Sequence, residues 1–415
     1  MSKIFIQIAS YRDPELIPTI NDCIKNAKYP ENLVFGICRQ YHIDDKFDEL
    51  NEFRDDERFR ILDILYSESK GVCWARNKVQ QLYNNEEYTL QIDSHMRFTE
   101  NWDEILIKMI IDLQQKGYKK PLLTGYVSSY DPTNDPDGRV LEPWRMAFDR
   151  FTPEGVVFFL PEVIPNWKDL DEPIPSRFYS AHFCFTLGEF TKEVQHDPEF
   201  YFHGEEISIA VRAYTHGYDL FHPHRVVLWH EYTRKGRTKQ WDDDKVWYIK
   251  NEFSHKKNRQ LLGVDNEVLD REIGIYGFGN ERTKLDYEKY SGILFSNRSV
   301  QQYTLDKKYP PNPTYENEQE WLDSFTRVFK HCIDIQFDVL NEDDYEFWVV
   351  AFHNDKDETI FRLDASPEEI KNMRQDPDNY YKIWREFNTM EKPKYWVVWP
   401  FTTSKGWGNR IVGQL

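Results

Sequence analysis

The chain has 415 residues, is 40% apolar and 16% aromatic, and carries a formal net charge of −18. That length supplies a sizeable core and about two to three domains, while the negative field argues against a nucleic-acid surface unless a local basic patch opposes it. No apolar run approaches the ~20 residues that span a bilayer. The strand-like IFIQIA follows Met1-Ser2-Lys3 with no room for a signal peptide, and Cys23, Cys38, Cys73, Cys184 and Cys332 show no C-x-x-C spacing. The expectation is a cytoplasmic protein with reduced thiols that binds neither nucleic acid nor membrane.

Lys3 to Ala9 reads as a first strand, followed by the polar loop Ser10-Tyr11-Arg12-Asp13-Pro14 and an apolar pattern at helical spacing from Leu16 to Ala27. Strands are expected at Leu33 to Cys38, Phe59 to Leu65 and Tyr88 to Ile92, with a helix from Gly71 to Tyr83 between the last two. This strand–helix alternation predicts an α/β fold with a parallel sheet covered by helices. Trp102 to Gln115 reads as an amphipathic helix and Pro121 to Tyr126 as a strand. Ser128 to Arg177 is rich in Pro, turn residues and aromatics, the pattern of a long binding segment. Phe178 to Leu187 reads as a buried strand, Ile207 to His216 as a helix stopped by Gly217, and Val226 to His230 as a short strand. A basic-tinged run, Thr233 to Lys239, precedes a helical stretch from Trp241 to Leu261. Lys307 to Glu320 is the best linker by its Pro and polar content. Beyond it, strands are expected at Ile333 to Leu340, Tyr345 to Phe352, Thr359 to Leu363 and Tyr395 to Pro400, and helices at Pro367 to Met373 and Tyr380 to Phe387. The domains are therefore 1–306, a linker 307–320, and a small strand-rich α+β domain 321–415.

The stretch that carries chemistry is Asp93-Ser94-His95, directly after the apolar run Tyr88 to Ile92. Polar groups at the carboxyl end of a central strand sit where open α/β sheets bind ligands. Residues two apart on extended backbone share a side, so Asp93 and His95 can aim a carboxylate and an imidazole at one ion, with Mn²⁺ the best match and Mg²⁺, Co²⁺ or Zn²⁺ also possible. The alternative is a polar turn. His230 ends its own strand and can supply a third ligand, against the plainer role of one of twelve histidines. In Gly204-Glu205-Glu206, glycine allows close backbone approach and the carboxylates can bond hydroxyls or move protons; ordinary first-turn acids explain them equally. Arg76, early in a helix, can meet phosphate or stand as a solvated helix arginine, and Arg12 can contact a nucleotide or form a salt bridge. G-x-G-x-x-G and Walker A motifs are absent, which weakens dinucleotide and P-loop readings.

Together the strings IFIQIASYRDPEL, GVCWARNKVQQLY, YTLQIDSHMRF, GEEISIAVRAYTHGYDLF and IYGFGNERTKLDYEKYSGI resemble the cytoplasmic hydroxyproline GlcNAc-transferases, over about Lys3 to Phe295. A wider similarity to polypeptide GalNAc-transferases rests on Ala75-Arg76, Asp93-Ser94-His95, Gly204-Glu205 and His230. Glu206 stands where that wider family has Asn, and Ser208 where it has Glu. The resemblance implies a GT-A glycosyltransferase that retains anomeric configuration, uses a UDP-sugar, most readily UDP-GlcNAc, and acts on a protein or glycan hydroxyl. It implies Asp93, His95 and His230 as ligands of Mn²⁺ or Mg²⁺, and Asp93, Glu205 and Arg76 as the catalytic set. Donor binding would fall to Ser10, Tyr11, Arg12, Arg76, Asp93, Gly204 and Glu205. Two other classes stay open: a decayed scaffold that only binds nucleotide or sugar, and a metal-dependent hydrolase. The C-terminal domain shows no resemblance.

Overall fold

The computed structural model describes residues 2–269 and 271–415, and the chain divides into two units. The first comprises 1–298 and 303–314, the second 299–302 and 315–415. The stretch expected as a linker is thus split between them. Arg177 binds 303–314 into the first unit: it donates to the Lys308 carbonyl and to Asn312 Oδ1.

The first unit is built on an eight-stranded sheet. Its early strands are β1 (Ile4–Tyr11), β2 (Leu33–Tyr41), β3 (Phe59–Leu65) and β4 (Tyr88–Ile92), all parallel, in the order β4-β1-β2-β3. The helices between and after them are α1 (Leu16–Asn26), α2 (Val72–Gln80) and, following a short strand β5 (Met96–Phe98), α3 (Trp102–Gln115). Strand alternation sorts the faces. Ile4, Ile6 and Ile8 point to the side where Leu16 and Ile20 of α1 and Leu106 and Ile110 of α3 pack. Phe5 points to the other side, against Ala75 and Val79 of α2. Both faces are covered, so the strands read as near-continuous apolar runs.

Next come β6 (Lys120–Thr124), β7 (Ser128–Ser129), the hairpin β8 (Trp144–Phe151) and β9 (Val157–Val163), β10 (Ile174–Pro175) and β11 (Phe183–Leu187). After these follow α4 (Phe190–Glu193), α5 (Glu205–Thr215), β12 (Tyr218–His222), β13 (Leu228–His230), α6 (Gln240–Asp243), α7 (Trp247–Leu262), α8 (Lys284–Ser291) and β14 (Ile293–Leu294). The sheet order is β10-β12-β6-β11-β4-β1-β2-β3. β11 lies antiparallel between β4 and β6, so the sheet is mixed rather than purely parallel. The α/β class stands as expected. The irregular 128–177 stretch contains a true hairpin, where Met146, Phe148, Val157 and Phe159 are buried.

The second unit is strand-rich. Its elements include β15 (Ser299–Gln301), β16 (Phe325–Gln336), β17 (Tyr345–His353), β18 (Thr359–Arg362), the helix Pro367–Met373, β19 (Tyr380–Thr389), β20 (Tyr395–Thr402), β21 (Gly406–Trp407) and β22 (Ile411–Gln414). β16 pairs antiparallel with β19, and β17 with β18 and β20. The helix expected at 380–387 is a strand instead. Tyr381, Ile383, Arg385 and Phe387 are buried, and this period of two fits only extended backbone. Trp348, Val350, Phe352, Ile383 and Val398 share one core.

Candidate functional site

β4 is flanked by β1 and β11 near the middle of the sheet, and Asp93 follows its last residue. Two residues on, His95 precedes β5. This short strand leaves the main sheet and pairs antiparallel with β13, with His230 opposite Met96. β7 completes a separate three-stranded sheet on the far side of β13. The convergence of His230 with Asp93 and His95 was expected from neighbouring strand ends in one parallel sheet. The route is different: β13 runs back along β5, and backbone bonds such as Glu231 N–H to the His95 carbonyl fix the register.

The three donor atoms form a tight triangle. His95 Nε2 lies 3.1 Å from His230 Nε2, His230 Nε2 lies 3.3 Å from Asp93 Oδ2, and His95 Nε2 lies 3.6 Å from Asp93 Oδ2. One ion bound at roughly 2.0–2.2 Å to each donor requires donors about 3.0–3.5 Å apart, so this set fits a divalent cation of borderline hardness. Both histidines are buried, and Asp93 is partly open to a cavity. Burial lowers the His230 pKa to about 4, which leaves the imidazole neutral and free to ligate at neutral pH. Burial works to raise the Asp93 carboxyl, but the His230 contact and the Arg76 charge outweigh it and hold it well below the usual range. His182 stacks on the His230 ring at 4.4 Å, and Tyr232 meets it edge-on at 4.2 Å.

Behind His95 stands a carboxylate that sequence reading placed only in a loop. Asp13 Oδ2 lies 2.8 Å from His95 Nδ1 and accepts from Ser94 Oγ at 2.6 Å. Arg237 packs at the same edge, 3.3 Å from Asp13, and donates to Glu231 at 2.6 Å. Asp13 and Arg237 were missed as site residues. Asp13 had one usable signal, its place in the loop after the first strand.

Arg76 projects from α2 and is nearly buried. It donates to Asp93 Oδ1 at 2.8 Å and lies 3.5 Å from Glu205 Oε1. Glu205 opens α5 after Gly204, whose φ of +107° favours glycine. Burial, with help from Glu206, raises the Glu205 carboxyl to about 8 against the pull of Arg76. Glu206 turns elsewhere, accepting from Ala181 N–H and Tyr126 O–H.

A cavity of about 170 Å³ opens over this group. Tyr11, Gln40 and Asp93 line it from the carboxyl ends of β1, β2 and β4, the position where such sheets bind ligands. Ser69, Gly71 and Val72 line it from the approach to α2. Arg234, Arg237 and Lys239 of the basic-tinged run line it too. Local cations therefore face this cavity although the whole chain is strongly acidic. Arg12 is bound by Asp45 at 2.7 Å and Asp243 at 3.0 Å, the salt-bridge alternative left open by the sequence. Ser10 is buried, with its carbonyl held by Gln40. Ser10, Arg12, Arg76, Gly204 and Glu205 do not line the cavity; Tyr11, Asp93, His95 and His230 do.

Comparison with known proteins adds the family. The search of curated proteins returned no match. Among solved structures, GalNAc-T7 with UDP, GalNAc and Mn²⁺ is similar at 14% identity and a TM-score of 0.47, over 64% of this chain and 49% of that one. The chain thus spans about half the length of that protein. S. aureus TarS 1-349 in complex with UDP-GlcNAc is similar at 12% identity and a TM-score of 0.40, over 71% of this chain and 72% of that one. S. aureus TarS matches 99% of this chain and 77% of its own at 11% identity and a TM-score of 0.38. The family model described as Glycosyltransferase (GlcNAc) matches residues 3–53 and 44–297, which hold Asp13, Arg76, Asp93, His95, Glu205 and His230. By that match over most of its length, the chain belongs to the GlcNAc glycosyltransferase family.

Proposed function

We propose that the protein is a metal-dependent, retaining GT-A glycosyltransferase that moves GlcNAc from UDP-GlcNAc to a hydroxyl on a protein or glycan. The observation that carries this reading is the Asp93–His95–His230 triangle lining a cavity that Arg234, Arg237 and Lys239 also line. Family membership supports the reaction class. Asp93, His95 and His230 would hold Mn²⁺ or Mg²⁺, and such a cation, when bound, supplies positive charge to a departing diphosphate.

The chain's own residues do the rest. Asp13 Oδ2 and Arg237 Nη1 both meet His95 Nδ1, and a ring that donates this N–H to the carboxylate turns Nε2 toward the shared point. Arg76 locks Asp93 in place with a charge-assisted bond and keeps it ionised. Arg234, Arg237 and Lys239 offer donors where the diphosphate would lie. Tyr11, Gln40 and Ser69 line the same cavity and are left for the nucleoside. Glu205 stands outside the cavity lining, 3.5 Å from Arg76, and helps to place the guanidinium that holds Asp93. In a front-face transfer the bond between the anomeric carbon and UDP breaks, the acceptor oxygen bonds that carbon from the same face, and the acceptor proton passes to the departing phosphate oxygen. Such a route needs no enzyme nucleophile. The first unit supplies every residue of this site, and we assign acceptor recognition to the second.

A screen of UDP-sugars with Mn²⁺, read as UDP release, tests this. The expected result is release that is fastest from UDP-GlcNAc, is stopped by EDTA and is raised by acceptor. Equal release in EDTA, or none from any UDP-sugar, would contradict it.

A further inference from the structure

The second unit holds a groove that the transfer chemistry does not use. It is an open trough of about 750 Å³ between the helix Pro367–Met373 and β19. Its floor is unusual. Tyr381, Ile383 and Phe387 of β19 point into the core, while Trp384 points outward and is 58% exposed. A large flat side chain left open to water is a common anchor of a binding surface.

The polar rim is sorted by pairing. Glu369 is held by Arg385 at 2.7 Å, and Asp376 by Lys382 at 3.0 Å. The side chains of Glu368, Asn372 and Gln375 also line the groove, and among the described residues none of them has a hydrogen-bond or ion-pair partner. The helix and the turn after it thus present one carboxylate and two amides along the trough that an open indole also lines. The single unpaired charge is negative, which disfavours phosphate, nucleic acid and other anions. Met373 is the other apolar side chain of the lining, too little to seat an amphipathic helix.

We propose that this groove binds a neutral sugar ring of a glycan. A pyranose has one flat face of C–H groups and a rim of hydroxyls. Trp384 takes the face, and the rim takes the hydroxyls: Glu368 accepts from them, while Asn372 and Gln375 can both accept and donate. The proposal does not rest on the donor-site reading, because no residue is shared between the two.

The full chain is titrated with chitotriose, cellotriose and maltotriose, followed by saturation-transfer NMR and calorimetry. At least one trisaccharide is expected to bind. Trp384→Ala should weaken binding by at least about tenfold, Trp384→Phe should retain most of it, and Glu368→Gln with Asn372→Ala should weaken it while leaving Trp384 in place. UDP titration of the same variants should match the parent, which separates this site from the donor site. No binding of any of the three, or binding that survives both variants, overturns the proposal. Self-association that Trp384→Ala abolishes, with no sugar bound, assigns the groove to a second copy of the chain and also overturns it.

Discussion

His95 Nδ1 lies 2.8 Å from Asp13 Oδ2, while Nε2 of the same ring lies 3.1 Å from His230 Nε2. An imidazole whose Nδ1–H is committed to a carboxylate presents its Nε2 lone pair on the opposite edge. Burial works to raise the Asp13 carboxyl, but His95, Arg237 and Ser94 hold it below its ordinary value, so it stays charged. Asp13→Asn should therefore weaken Mn²⁺ binding about 10–100-fold, as loss of such outer partners does. Titration of Mn²⁺ followed by electron paramagnetic resonance measures this. A variant that binds Mn²⁺ as the parent does would leave Asp13 a merely structural residue.

Glu205 ties stability to pH. Its folded carboxyl sits at about 8, against an ordinary 4.5. Between these values the folded state keeps a proton that the unfolded chain has released. Stability from this group is full below the unfolded value and is lost as pH rises toward about 8. Glu205→Gln removes that slope, so its stability relative to the parent should improve from pH 5 to pH 8. Urea melts at the two pH values give the comparison. An unchanged difference would mean that Glu205 ionises normally in the fold.

Arg177 is buried and donates to three neighbours: the Ser291 carbonyl at 2.9 Å, the Lys308 carbonyl at 2.5 Å and Asn312 Oδ1 at 2.6 Å. Burial lowers its pKa to about 10. Arg177→Ala strands those acceptors and should cost about 3 kcal/mol of stability. The same bonds imply that cutting the chain after Asp306 destabilises the first unit more than cutting after Thr314. Thermal melts of the variant and of both truncations check this; equal melting of the two truncations would count against it.

Much of the site was legible because it obeys local rules. A strand that ends in Asp-x-His points both side chains one way, and the apolar alternation of the early strands fixed their faces. The meeting with His230 was legible too, yet its geometry was not. β13 pairs with β5, a three-residue strand too short to leave a periodic signal. Asp13 and Arg237 lie 224 residues apart and meet only in the fold. The alternation of Tyr381, Ile383, Arg385 and Phe387 was present in the sequence, but helical and extended readings compete over so short a run, and pairing with β16 decides it. Arg12 shows the reverse case: the residue type suits phosphate, and two nearby carboxylates claim it.

Crystals grown with Mn²⁺ and UDP test the shared centre most directly. Anomalous scattering should place one ion within about 2.0–2.3 Å of Asp93 Oδ2, His95 Nε2 and His230 Nε2, with the diphosphate beside it, and the peak should vanish in His230→Ala crystals soaked at the same concentration. A peak elsewhere, or UDP bound in the cavity with the His230 ring turned away and no ion, would contradict the metal centre.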